Sequence, residues 1–453
     1  MRGYLPRLPP RTSEFDNLPD AMSTRRAFFG QVGRPAAAGF LAATFTPTAL
    51  PEILERMATA TGTPAEIAQD ETFWHTIQQA FTVDRSLVNF NNGGVCPSPE
   101  IVQDAMKRHL DYSNLAPAYT MWEILEPQRE PVRARLAREF GCDTEEIALV
   151  RNASEGLQTC QLGMDFQRGD EVLTTTHDYG RMITTFRQRE RREGIVLKQF
   201  PLPVPAEDPN EVVRLFEQNI TPRTKAILMC HIVNITGQIL PVKGVVQMAR
   251  RYNIPVIVDG AHAFGHFTFK HEDLDCDYYA SSLHKWLFAP HGTGLLYVRK
   301  DKIADLWPLM AAPDPMTDDI RKYEEIGTHP AANYLAIAEA LTFHQGIGAE
   351  RKEARLRYLT DYWIDALTSR SDRVIINTPR NPDYYCAIAN VDIDSIEPVA
   401  LKEYLWKKHR IFTVPIIHED FRGIRVTPSV YSTMEEVERF ISAMDHAITH
   451  GVG

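Results

Sequence analysis

The chain has 453 residues, 44% of them hydrophobic, and a formal net charge of −10 at pH 7. That length supports two or three domains with a sizeable core, and the acidic balance argues against a nucleic-acid surface. The six cysteines (Cys96, Cys142, Cys160, Cys230, Cys276 and Cys386) are scattered, with no Cys-x-x-Cys pair and no zinc spacing. Nothing calls for an oxidising compartment, and Cys230, inside the apolar run 226–233, reads as a small core residue.

Residues 1–21 are rich in Pro and Arg and carry no hydrophobic periodicity. Then comes Ser23-Thr24-Arg25-Arg26-Ala27-Phe28-Phe29, followed by a mildly apolar stretch over 35–50. Adjacent arginines before a weakly apolar segment resemble a twin-arginine export signal. Residues 1–50 are therefore expected to be a leader that takes the protein to the periplasm or exterior, with a cytoplasmic location as the alternative. Arg34 and Pro35 interrupt the stretch, which is too short to span a bilayer, so no stable membrane span is expected. Met22 is an alternative start.

Residues 51–84 have a helical pattern and are expected to join a small domain. A short strand at 88–90 runs into a Gly turn at Asn91-Asn92-Gly93-Gly94. Strands at 147–151, 171–175, 195–200, 225–232, 255–258, 278–281 and 294–298 then alternate with helix-length segments such as 156–166, 179–192 and 243–252. That rhythm predicts an α/β fold whose large domain, 85–310, holds a mostly parallel, seven-stranded, doubly wound sheet. Ligands on such a sheet gather at the carboxyl ends of the strands. A loop-rich crossing marked by Pro313, Pro315, Gly327 and Pro330 opens the rest, 311–453. Helices at 331–346, 351–369 and 434–447 and short strands at 374–377, 385–391 and 424–426 make it a smaller α+β domain.

The chemistry starts at Ser281-Ser282-Leu283-His284-Lys285-Trp286-Leu287, which runs into Gly292-Thr293-Gly294. Lys285 lies at the mouth of a sheet beside apolar Trp286, Leu287 and Phe288. Partial desolvation there favours the neutral amine, which can form a Schiff base with an aldehyde cofactor and move a Cα proton. Ser282 and His284 can hold a phosphate. The arrangement fits pyridoxal phosphate. In Val256-Ile257-Val258-Asp259-Gly260-Ala261-His262, an Asp at the end of a buried strand needs a cationic partner. A pyridinium nitrogen is one, and keeping it protonated makes the ring an electron sink. His262 is a donor to the cofactor's phenolic oxygen, or a helix-start His with a local partner. Arg151-Asn152-Ala153-Ser154-Glu155-Gly156 is a strand turning into a helix, where the amides at Ala153 and Ser154 and the Ser154 hydroxyl suit phosphate.

Thr176-His177-Asp178-Tyr179 ends another strand. His177 is the first choice for stacking on the pyridine ring and Tyr179 the second, with Tyr179 alternatively an acid in the chemistry. Asn234 touches the phenolic oxygen or substrate, or makes an Asx turn with Gly237. Arg425 suits a substrate carboxylate, with a structural ion pair as its alternative. Thr328 offers a further hydroxyl to phosphate, within its own chain or across a dimer interface. His271-Glu272-Asp273 and His418-Glu419-Asp420 read as solvated loop residues, so no metal is expected.

Taken together, Asn91-Asn92-Gly93-Gly94, Ala153-Ser154-Glu155, Asn234, Asp259-Gly260-Ala261-His262, Ser282-x-His284-Lys285, Gly327-Thr328 and Arg425-x-Thr427-Pro428 resemble the class V aminotransferase family, and within it the isopenicillin N epimerase-like branch. The resemblance runs from about Phe90 to Ala447. It implies the fold-type I pyridoxal-phosphate transferase architecture, a homodimer with sites at the interface, and Asn92 as a substrate contact. Two departures stand out. Residues 412–425 lack the reactive Cys of desulfurases, and His262 stands where those enzymes commonly have Gln. The expected function is chemistry at the Cα of an amino acid or small peptide, by epimerisation or transamination. A β-eliminating C–S lyase is the alternative. A non-catalytic pyridoxal-phosphate-binding protein is a reading of another class, against which the Lys285–Asp259 pair speaks.

Overall fold

A computed structural model describes residues 49–453; the leader reading on residues 1–48 lies outside the described residues. The strands are β1 (Val88–Asn89), β2 (Ile147–Val150), β3 (Glu171–Thr175), β4 (Val196–Phe200), β5 (Thr224–Cys230), β6 (Val256–Asp259), β7 (Tyr278–Ser282), β8 (Gly294–Val298), β9 (Val374–Ile376), β10 (Ala389–Ile393), β11 (Ile411–Phe412), β12 (Val414–Ile417) and β13 (Arg422–Val426). Seven of them form one sheet in the order β2-β8-β7-β6-β5-β3-β4. Only β8 runs against the rest, antiparallel to both β2 and β7.

The near-continuous apolar runs of these strands follow from cover on both faces. Leu149, Ile227, Met229, Val258, Tyr279 and Leu295 point into one core, and Ala148, Ala226, Leu228, Ile257, Ala280 and Leu296 point into another. The second face carries the helices Ala153–Gly163 and Gly180–Glu193, whose Leu157, Cys160, Met182 and Phe186 are buried there.

A smaller sheet, β12-β13-β10-β9, has its own core with Leu359, Trp363, Leu405, Phe440 and Met444 from the helices Ala349–Thr368, Pro398–His409 and Met434–His450. The strand expected at 385–391 starts later, at Ala389, because the preceding backbone is tied to the large sheet's loops. Tyr384 O accepts from Ile239 N at 2.8 Å and Ala387 N donates to His266 Nε2 at 2.9 Å.

Residues 51–84 attach differently from expectation. Ile53, Met57, Ile67, Phe73, Trp74 and Ile77 join the larger core rather than the small-domain one. Their helices pack against the first half of Ala349–Thr368, where buried Arg355 bonds Ala68 O and pairs with Glu71. The small-domain core begins instead at Val88 and Phe90, through the parallel pairing of β1 with β11. No helix among the described residues is long and apolar enough to cross a membrane.

Candidate active site

The carboxyl ends of β2, β5, β6 and β7 meet around a cavity of about 400 Å³, lined among others by Asn152, Cys230, Asp259, Ser282, Lys285 and Arg425. This is where an α/β sheet gathers ligands.

Asp259 lies at the end of β6, between Cys230 and Ala280 of the neighbouring strands. It is 5% exposed, and its Oδ1 accepts only the Ala261 amide, at 3.0 Å. No cationic side chain pairs with it among the described residues. Burial pushes its pKa up to about 6, against the amide bond and the charge of Lys285. A buried carboxylate without a counter-charge is what a protonated ring nitrogen would satisfy.

Lys285 leaves β7 on a tight turn in which Ala289 N donates to Leu283 O at 3.0 Å and Phe288 takes a left-handed φ of +64°. Its Nζ lies 2.9 Å from His262 Nε2. Burial lowers the lysine pKa to about 8; Asp259 opposes that and Arg425 adds to it. His262 is held well below its ordinary value, first by burial and then by the Lys285 charge. A neutral ring accepting from Lys285 at Nε2 carries its proton on Nδ1, which is buried without a partner.

At the other end, the helix Ala153–Gly163 opens with Asn152, whose side chain accepts from Glu155 N at 2.9 Å. Ala153 N donates to Ser282 Oγ at 3.0 Å, joining the two predicted sides of the phosphate cup. Gly294 allows this approach, since a Cβ there would lie 2.7 Å from Asn152 Cα. His284 Nδ1 is 3.1 Å from Thr293 O, and burial lowers its pKa to about 4. The charge of a bound phosphate would raise it again, turning Nε2 into a donor.

Arg425, on β13, is 7% exposed. Its Nη1 donates to Asn234 O at 3.0 Å and its Nη2 to Asn91 Oδ1 at 2.8 Å, while Nε has no partner. Burial lowers its pKa to about 10. No acidic side chain pairs with it among the described residues, so the alternative of a structural ion pair falls away. The guanidinium is a buried charge aimed at a cavity, suited to a carboxylate.

Three readings are corrected. Asn92 is buried away from the cavity, its amide donating to Asn89 O and Thr427 O and its oxygen accepting from Tyr431; Gly93 and Gly94 form the wall instead. His177 lies off the cavity, against His418 and Phe421, and Tyr179 takes the lining position. Thr328 lines a different cavity with Glu126, Arg129 and His329. Cys230 is a core residue, as read, and it also borders the active-site cavity; burial, with Asp178 and Asp259 nearby, holds its thiol pKa well above the ordinary value. A thiol held protonated is a poor nucleophile.

Two residues escaped the sequence reading. Arg181 lines the cavity at its exposed rim. Lys352 is fully buried under the Lys285 turn: it donates to Trp286 O and its Nζ lies 3.8 Å from the centre of the Phe288 ring. Nothing in a charged helical stretch marks it as different from a surface lysine. Burial lowers its pKa to about 7, whereas an unfolded lysine titrates near 10.4. Between those values the unfolded chain binds more protons than the folded one, so stability rises with pH through that window. Lys352→Met is expected to cut the gain in unfolding free energy between pH 7 and 10 by about 3 kcal/mol relative to the unsubstituted protein, as read from urea titrations at the two pH values.

The family model for aminotransferase class-V matches residues 88–440. The chain belongs to the class V aminotransferases. Membership makes pyridoxal phosphate the cofactor, and the unpaired Asp259, the buried Lys285 and the Ala153–Ser282 cup fit it. Among relatives, the isopenicillin N epimerase of Streptomyces clavuligerus is 27% identical over 389 residues, covering 82% of this chain and 98% of the relative. That of Amycolatopsis lactamdurans is 29% identical over 392 residues, with coverages of 82% and 98%. A structure of the cystine C–S lyase C-DES in complex with its reaction product cysteine persulfide superposes with a TM-score of 0.71 at 22% identity, covering 80% of this chain and 98% of that one.

Proposed function

We propose that this class V aminotransferase acts at the Cα of an amino acid, or of a small peptide with a free amino group, and that the outcome is epimerisation or transamination. The observation that carries the reading is the pairing, in one cavity, of a buried lysine whose pKa burial lowers to about 8 with a buried arginine that has no acidic partner among the described residues. Arg425 would hold the substrate carboxylate through the face that Asn91 and Asn234 leave free. Lys285 would anchor the cofactor and move the proton at Cα, its neutral form favoured by burial. Asp259 would hold the proton on the ring nitrogen, and Ser154, Ser282 and His284 the phosphate. Pyridoxal phosphate, when bound, supplies the sink for the electrons left at Cα. Tyr179, on the cavity wall, carries a hydroxyl that could return a proton. Cys230, which borders the cavity, has a thiol that burial holds protonated, which speaks against a persulfide nucleophile at this site.

Proton NMR in deuterium oxide against a panel of amino acids and short peptides tests it. Loss of the α-proton signal with both stereoisomers appearing identifies epimerisation. A keto acid formed only with a second amino acceptor identifies transamination. A keto acid with release of a thiol moves the assignment to a β-eliminating C–S lyase, and no change with any substrate sinks the reading.

The assembly is inferred to be a homodimer. Leu115, Tyr119 and Trp122 are exposed apolar side chains, and Trp122 borders the cavity that holds Thr328. A second copy seated there could bring Thr328 to its own partner's phosphate cup. Light scattering that returns a monomer mass at micromolar concentration would remove this inference. Residues 1–50 are proposed as a twin-arginine leader on the strength of Arg25-Arg26. A reporter fused to them should be exported, and changing both arginines to lysine should stop export.

A further inference from the structure

His418-Glu419-Asp420 is only a stretch of neighbouring loop residues until the fold adds His177 to it. The β12–β13 hairpin carries His418 and Asp420 onto the loop that follows β3, where His177 sits. His177 is 2% exposed, and its Nε2 is buried with no hydrogen-bond partner among the described residues. That nitrogen lies 3.5 Å from Asp420 Oδ2. His418 Nδ1 lies 3.5 Å from the same oxygen. All three ligand atoms fall within 4.8 Å of one another.

The two 3.5 Å separations are long for a hydrogen bond, yet close to a metal's coordination edge. Bonds of about 2.0 Å from a tetrahedral zinc to nitrogen and oxygen put ligand atoms roughly 3.3 Å apart. The tautomers also suit. His418 Nε2 lies 3.1 Å from Thr176 O and donates its hydrogen there. That leaves the lone pair of Nδ1 facing the cluster, in the outer-shell arrangement that orients ligating histidines. The Asp420 amide donates to the same Nδ1 at 3.2 Å, a long bond that a metal would displace.

We propose that His177, His418 and Asp420 form a binding site for a divalent first-row transition metal, with zinc the best match to two imidazoles and a carboxylate. A water would complete the coordination. The site joins the loop after β3 to the small-domain hairpin. Tyr179 stands two residues from His177, and Arg425 is on β13, so the metal clamps together two sides of the cavity mouth.

The test uses cofactor-loaded full-length protein treated with chelator, dialysed, and titrated with zinc chloride alone in a calorimeter. One zinc per chain is expected, together with a rise in the thermal unfolding midpoint. His418→Ala and Asp420→Asn should each weaken zinc binding by about 100-fold or more while leaving the cofactor's visible absorbance unchanged. In the unsubstituted protein, cobalt(II) should bind with the intense visible absorption of a tetrahedral centre, a readout that does not depend on any variant folding. No zinc bound, zinc bound equally well by both variants, or cobalt spectra of an octahedral, water-like ion would each overturn the proposal.

Discussion

Lys285→Ala abolishes turnover: a loss of at least about 10³-fold is expected, since both the anchor and the base at Cα go with one side chain. The substitution is well placed to be informative because the fold does not rest on the Lys285 amine. Among the described residues its amine hydrogen-bonds His262 Nε2. The turn that carries it is held by backbone bonds, by Lys352 against Trp286 O and Phe288, and by a His266–Trp286 stack at 3.7 Å between ring centres. The variant should therefore fold and still collect cofactor in the cavity by its phosphate. Borohydride reduction separates the two cases cleanly. In the unsubstituted protein it should fix the cofactor's mass on the peptide containing Lys285; in the variant the cofactor should wash out under denaturant. Retained turnover would assign the base elsewhere.

Gly237→Ala should destabilise the fold by at least about 3 kcal/mol. Gly237 has a φ of +78°, and a Cβ added there would lie 1.8 Å from the Ile388 carbonyl oxygen. The obstacle is backbone, so no rotamer change relieves it, and the left-handed conformation adds a further cost. The clash lies where the large-sheet loop meets the small domain, in the same turn whose Asn234 carbonyl holds Arg425. Substrate affinity should fall along with the urea midpoint. Gly180→Ala is the control, because nothing lies within 4 Å of a Cβ there. A loss of stability beyond about 0.5 kcal/mol in that control would show that glycine content alone was being measured.

What could be read from residues alone follows a physical divide. The seven strands of the large sheet were legible because each is a short apolar run with turn residues at both ends, and burial on both faces forbids interruption. Lys285, Asp259 and the Ala153–Ser154 turn were legible because their chemistry is local: each motif contains its own strand end and its own polar residue. Choices between neighbours were not legible. His177 and Tyr179 are both rings at the end of β3, and which one enters the cavity is decided by His418 and Phe421, which arrive from far along the chain. Asn91 and Asn92 differ by one peptide unit. One holds Arg425, and the other is consumed by the β1–β13 junction. Residues 51–84 carry an amphipathic pattern that says one face is buried without saying against what. Lys352 sits among charged residues of an amphipathic helix, and only tertiary packing reveals that it points inward.

The grip on Arg425 has a consequence for handling the protein. Its two partners come from separate parts of the molecule, Asn91 after β1 and Asn234 after β5, so the anion that neutralises the guanidinium also fastens those parts to β13. Any carboxylate that enters the cavity and binds only the native state then adds to the apparent melting temperature by mass action, in proportion to the logarithm of its concentration. Acetate, citrate or succinate buffers would act as ligands, raising thermal stability while competing with substrate, and assays in amine buffers should give lower KM values than assays in those salts.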